Sequence, residues 1–244
     1  IRLIRTGDED WHWKNKFFLP YEKLLRRVPF YPTLGNHDGR ESESRGDLDA
    51  YLDNFFFPSG PPARYYQFSF GQLADFFALD TTNSAGDSRT PACGENSEQM
   101  RWLAGALAAS RAPWKIAYMH HPFYNAGPGH GPTLELAPVA RLLRGHGVRV
   151  TFHGHEHNLQ FSEQSAETGG ALHVITGSGG SLRRGDVRGR LRAAHIVAWA
   201  PQHQFLVVTI EDRTMRITPL SYEPVRVVDP GGRAVPMPVV VTLP

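Results

Sequence analysis

Apolar positions in this chain fall in short runs, and most of those runs end abruptly in polar clusters. Over residues 11–27, Trp13, Phe17, Phe18, Tyr21, Leu24 and Leu25 recur at three- and four-residue intervals. That spacing predicts a helix face, interrupted near Pro20. Residues 28–34 are predicted to be extended, because proline and the residue before it avoid helix. Residues 65–70 alternate, Gly71-Gln72 turns and residues 73–79 form the return strand, which predicts a strand pair. Ser97 stands three residues before Met100, and Trp102, Leu103, Ala106 and Leu107 continue a helical period, so an amphipathic helix is predicted to start there. Buried strands are predicted at Trp114–Met119, 148–152 and 171–176, with a helix over 134–144 that stops at Gly145. Residues 183–192 read as a basic loop, and residues 195–243 as short antiparallel strands such as 205–210 and 215–219.

Composition narrows this picture without adding a function. The 244 residues, 41% of them apolar, are enough for one packed α/β domain. No repeat or linker divides them, so residues 1–244 are expected to form a single domain with antiparallel strands from about residue 195. A net charge of +2 without runs of like charge indicates no nucleic-acid partner. No apolar run is long enough for a membrane span. The lone cysteine, Cys93, excludes an internal disulfide and a cysteine-based metal site. The chain begins at Ile1 in a strand-like pattern over 1–6, without a methionine, and an N-terminal strand is therefore expected to be missing upstream.

The chemistry gathers where apolar runs stop. The 28–34 run empties into Gly35-Asn36-His37-Asp38, Trp114–Met119 into His120-His121-Pro122, and 148–152 into Gly154-His155-Glu156-His157. α/β folds put their reactive groups at such strand ends. If these strands are neighbours, the groups converge on one edge. Imidazole and oxygen donors without paired cysteines suit a catalytic Zn, Fe or Mn centre rather than a structural site. Asn36 alone would read as a turn residue. Asp80 is expected to brace a strand end, with His121 and His153 as supporting residues. His12, His146, His173, His195 and His203 are expected to be ordinary. Arg183, Arg184, Arg188, Arg190 and Arg192 form a solvated group that would attract anions if it lay near the site.

These three blocks, in this order and spacing, resemble those of the calcineurin-like metallophosphoesterases, especially the purple acid phosphatase branch. The likeness runs from about Trp11 to Ile217 and includes Met-His-His-Pro-Phe-Tyr-Asn at 119–125, Gln99-x-x-Trp102-Leu103 and the glycine turn at 176–180. The resemblance implies an α/β sandwich of two mixed β-sheets flanked by helices, with two divalent or trivalent ions (Fe, Zn or Mn) at the strand ends. Carried over by residue, it makes Asn36, His120 and His155 ligands of one ion and His157 a ligand of the other. His37 would be the acid and phosphate contact, oriented by Asp38. His130, ten residues beyond His120, would contact substrate. The activity implied is hydrolysis of a small phosphomonoester or phosphodiester by metal-bound hydroxide, in a branch that is often exported. Two departures stand out. No Asp-x-His precedes Gly35, and Gly7-Asp8 is the only counterpart of the family's Gly-Asp, which leaves Asp8 as a candidate bridging ligand. Trp11 occupies the position of the purple enzymes' tyrosine ligand, so a purple ferric site is not expected. The competing readings are a metal-deficient, inactive binding module of the same fold, or a mononuclear hydrolase.

Overall fold

The computed structural model describes residues 10–38, 49–55, 63–82 and 93–244. The predicted strand at 1–6, Asp8, most of the 40–64 excursion and Pro91 lie outside them. The first helical stretch is continuous: α1 (Asp10–Trp13) passes through a π-helical segment, Lys14–Phe18, into α2 (Leu19–Leu25). The expected interruption at Pro20 is replaced by this widened turn, in which the Leu19 N–H reaches back five residues to Lys14 O. Pro20 brings no N–H and a ring that crowds the preceding turn, and one π turn beside it absorbs both without breaking the helix. After α3 (Asp49–Asn54) comes the predicted strand pair, β1 (Tyr66–Phe70) and β2 (Ala74–Leu79). α4 (Glu98–Ala109) begins as expected, with the Ser97 side chain accepting from Met100 N at 3.2 Å.

The chain then builds β3 (Trp114–Met119), α5 (Ala137–Gly145), β4 (Val150–His153), β5 (Leu159–Ser162) and β6 (Leu172–Thr176). α6 (Arg188–Leu191) falls inside the expected basic loop, followed by β7 (Ile196–Ala200), β8 (Phe205–Glu211), β9 (Thr214–Leu220) and β10 (Val239–Thr242). A mixed seven-stranded sheet has the order β1-β2-β3-β4-β6-β5-β7, and β10-β9-β8 form a second, antiparallel sheet. Strands β2, β3, β4 and β6 run parallel, with Leu79, Met119, His153 and Ile175 in register. Four carboxyl ends therefore lie side by side on one edge, and that edge carries the polar clusters.

Parallel strands covered on both faces need apolar residues at successive positions. On β3, Trp114 and Ile116 face the second sheet, joining Val150, Phe161, Val174, Met215 and Ile217. Ala117 and Met119 face the helices, packing with Leu103 and Leu107 of α4 and Val139 and Leu143 of α5. Residues 28–35, expected as a strand-like run, belong to neither sheet, with a bend at 28 and no regular structure over 29–35; they are tied on where the Thr33 hydroxyl donates to Leu79 O at 2.9 Å. β5 was not anticipated as a strand, since its fully buried Leu-Gln-Phe-Ser sequence lacks the alternation of a half-exposed one.

One buried group outside the site makes the fold acid-sensitive. The His173 ring lies between Thr151 Oγ1 (2.7 Å) and Thr168 O (3.1 Å), and burial lowers its pKa to about 4. A depressed imidazole contributes stability that is present above the unfolded value of about 6.5 and lost as pH falls through the folded one. His173→Gln is therefore expected to make urea stability about 2 kcal/mol less sensitive to a shift from about pH 7 to about pH 5. An unaltered pH slope in the variant would remove His173 from this account.

Candidate metal centre

Residues 28–35 end in a turn that closes on itself: Asp38 N donates to Gly35 O, and Asp38 Oδ2 accepts from Gly35 N, each at 2.9 Å. Asp38 thus shapes the turn that presents Asn36 and His37. Burial pushes its carboxyl up to about 6, against the pull of the Gly35 N–H and His37. The end of β3 delivers His120 next to this turn. A Cβ on Gly35 would meet His120 Nδ1 at 2.8 Å, and one on Gly154 would meet it at 3.3 Å, so the imidazole lies between two glycine backbones with no room for a side chain at Gly35.

On its other edge, His120 Nε2 stands 2.7 Å from Asn36 Oδ1 and 3.0 Å from His155 Nδ1. Three donor atoms from three separate chain segments meet at one point. Burial first, then neighbouring His121 and His155, holds the His120 pKa far below the ordinary value. Burial and nearby His121, His130, Arg183 and His157 lower that of His155 to about 3. Both rings are therefore neutral, with lone pairs available. A single Nε2 proton cannot serve both neighbours, whereas a cation would draw on all three lone pairs. The donor set fits a metal ion.

His121 joins this cluster, since donor atoms of His120, His121 and His155 all lie within 4.8 Å of one another. Its Nδ1 is also 2.9 Å from Thr81 Oγ1, which anchors it to the end of β2. Asp80 acts as the expected brace: its carboxylate accepts from Arg64 Nε at 2.9 Å and from Thr82 N at 2.8 Å. His153 also supports, its Nδ1 donating to His121 O at 3.0 Å.

His155 has a positive φ of 65°. A non-glycine residue in that region is strained, and such strain tends to accumulate where a side chain must be aimed. The tight bend is closed by Glu156 N donating to Gly154 O at 2.8 Å. His130 stacks on His155, with ring centroids 3.9 Å apart. His37, Asp38, His130, His157 and Arg183 line a hollow of about 370 Å³ whose lining also includes the aromatic residues Trp13, Phe17, Phe30 and Tyr31. The expected site residues thus share one hollow, apart from Asp8, which is outside the described residues. Among the described residues, the one group of histidine, cysteine and carboxylate donors close enough to share an ion is His120, His121 and His155, and His37, Asp38, His130 and His157 lie outside it.

Sequence reasoning passed over Glu156, which is fully buried between the two histidines. Its Oε2 accepts from His130 N at 2.9 Å and Gly129 N at 3.2 Å, Oε1 accepts from His157 N at 3.2 Å, and Arg183 Nε approaches Oε1 at 3.7 Å. One carboxylate thereby fixes the His130 loop and the His157 backbone. Asn125 completes the loop, donating to His130 O at 3.0 Å and accepting from Gly127 N at 2.7 Å. Gln160 is fully buried behind it and donates to Asn125 Oδ1 at 2.9 Å. The signal for this support was a carboxylate and amides inside otherwise buried blocks, where polar groups persist only if paired.

Comparison with known proteins agrees with this geometry. The family model described as calcineurin-like phosphoesterase matches residues 3–159. Human tartrate-resistant acid phosphatase type 5 is 30% identical over 172 residues, covering 65% of this chain and 51% of its own length. Arabidopsis thaliana purple acid phosphatase 17 is 28% identical over 216 residues, covering 76% of this chain and 60% of its own length. The chain spans about half the length of the mammalian relatives it matches. Among solved structures, yellow lupin purple acid phosphatase PPD1 superposes with a TM-score of 0.69 at 15% identity, over 95% of this chain and 43% of its own. GAP50, described as the anchor in the inner membrane complex of Plasmodium, gives 0.67 at 18% identity, over 98% of this chain and 74% of its own. Those two likenesses concern the fold alone, a mixed seven-stranded sheet backed by a second sheet and helices. With a family model matched across well over half its length and its histidine blocks at the ends of the neighbouring strands β3 and β4, this chain belongs to the calcineurin-like phosphoesterase family.

Proposed function

We propose that this chain carries the metal-binding core of a phosphoesterase that hydrolyses a small phosphomonoester or phosphodiester. The observation that supports this most strongly is the meeting of Asn36 Oδ1 and His155 Nδ1 on His120 Nε2, with both imidazoles held neutral. In this reading Asn36, His120 and His155 hold one ion, with His121 adjacent, and His157 faces a second whose remaining ligands include Asp8. Bound divalent or trivalent cations, Fe, Zn or Mn, would supply Lewis-acid polarisation of a phosphoryl oxygen and a water acidified toward neutrality. His37 lines the hollow where a leaving oxygen would depart and is the group that would return a proton to it. His130, stacked on His155 and fixed by Glu156, contacts the phosphoryl oxygens. The aromatic residues of the lining would keep water from the substrate's apolar part.

The competing reading, an inactive binding module, gives no account of why Asn36 Oδ1, His120 Nε2 and His155 Nδ1 are gathered from three chain segments at 2.7 and 3.0 Å. Such a cluster is unfavourable unless something cationic uses it. The test is metal content of the full-length protein by mass spectrometry, with turnover of p-nitrophenyl phosphate and bis-p-nitrophenyl phosphate before and after chelation. Two ions per chain are expected, with turnover lost to a chelator and restored by Zn, Mn or Fe. One ion with turnover would replace the dinuclear reading by a mononuclear one. No ion and no turnover would refute the proposal in favour of the binding module.

A further inference from the structure

A second concavity, of about 720 Å³, adjoins the metal-site hollow, and Arg183 lines both. The position of Arg183 is set by the metal loop itself, since its N–H donates to His157 O at 3.1 Å. Around the groove stand Arg184, Arg188 and Arg226, with Asp186 the only carboxylate in its lining. Asp186 is committed to Arg188, accepting from Nε at 2.9 Å and from Nη2 at 2.6 Å. Arg183 is only loosely paired, 3.7 Å from Glu156. Arg184 and Arg226 are exposed, and among the described residues neither makes an ion pair.

The wall that carries these cations is built rather than loose. Arg226 N donates to Gln202 Oε1 at 2.6 Å, which fixes the backbone beneath that arginine. Gly185, next to Arg184, packs on Pro128 of the His130 loop so closely that a Cβ there would lie 3.0 Å from the proline ring. The lining includes Trp199, 5% exposed, whose indole Nε1 has no hydrogen-bond partner among the described residues. Guanidinium groups are weakly hydrated forks that match phosphate oxygens two at a time. Uncompensated cations along a low-dielectric wall also focus potential toward the groove.

We propose that this groove is a second anion subsite, which takes a further phosphate on the same substrate molecule whose scissile phosphate lies at the metal centre. Arg183 joins the two subsites, and Arg184 and Arg226 hold the distal group. The chain then prefers small molecules carrying two phosphates over the same molecules carrying one. This inference rests on the phosphoesterase reading for turnover, but not for binding.

Glucose 1,6-bisphosphate and glucose 6-phosphate separate the effects, because they differ only in the second phosphate. Kinetics and calorimetric binding would be measured for the metal-loaded full-length protein and for the double variant Arg184→Ala/Arg226→Ala, with Arg184→Lys/Arg226→Lys as the charge-preserving control. Losing two charge-assisted contacts should raise KM and Kd for the bisphosphate about tenfold. The monophosphate should change by less than about twofold. The lysine variant should recover part of the loss, and added salt should weaken bisphosphate binding in the wild type more than in the alanine variant. Equal effects on both sugars, or none on either, would overturn the subsite. Bisphosphate binding weakened by the alanine pair, without turnover of any phosphate ester, would support the groove and sink the phosphoesterase reading.

Discussion

Replacing His155 with alanine in the full-length protein is expected to lower turnover of p-nitrophenyl phosphate by about a thousandfold or more, equivalent to about 4 kcal/mol of transition-state stabilisation. The effect should be this large because His155 is not a peripheral contact. Its Nδ1 is one of three donors that meet at His120 Nε2, and its ring is the surface on which His130 stacks. Removing it would take away a ligand and loosen the substrate contact together. The fold should survive, because the ring sits in a loop at the sheet edge and belongs to none of the four apolar clusters. Metal content should fall while the thermal transition stays within a few degrees of wild type, since about 1 kcal/mol moves it by only a few degrees in a chain of this size. Wild-type turnover in His155→Ala would end the assigned role.

The architecture was legible where a physical constraint left one solution. Trp114–Met119 reads as a buried strand because it is covered on both faces, and the structure reproduces its bounds. Ser97 announced α4 because a helix start needs an acceptor for its open N–H groups. The convergence of Asn36, His120 and His155 was legible only conditionally, since it needed adjacent strands. The parallel register of β3 and β4 supplies that condition for His120 and His155, whereas Asn36 arrives on residues that belong to neither sheet and are tied to the end of β2 through Thr33. What stayed hidden depended on tertiary context. The π turn before Pro20 keeps one helix continuous through the proline, and its aromatic face, with Trp13 and Phe17 buried against Phe55, is a contact that the local sequence does not announce. β5 has no exposed face and so no alternation to detect. Glu156 reads in sequence as a spacer between two ligands, and its three backbone donors become visible only once the His130 loop folds over it.

Gly177 offers the most direct test of whether that loop must be held tightly. A Cβ at this position would lie 2.2 Å from the carbonyl oxygen of Glu156, the residue between His155 and His157. The obstructing atom is backbone, so no rotamer change relieves the clash; the loop must shift by about 1 Å to reach an ordinary contact. Overpacking of this kind costs about 1–3 kcal/mol, and a misplacement of about 1 Å at reacting groups can cost about a hundredfold in rate. Gly177→Ala is therefore expected to lose about 2 kcal/mol in urea unfolding and about a hundredfold in turnover, with weakened metal retention. Gly131→Ala is the matched control, because nothing lies within 4 Å of a Cβ there although the residue sits beside His130. It should leave stability within about 0.5 kcal/mol of wild type. If Gly177→Ala kept wild-type turnover and metal content, the loop would be more pliant than its packing allows, and fixing of the two histidines by the Gly177 turn would have to be abandoned.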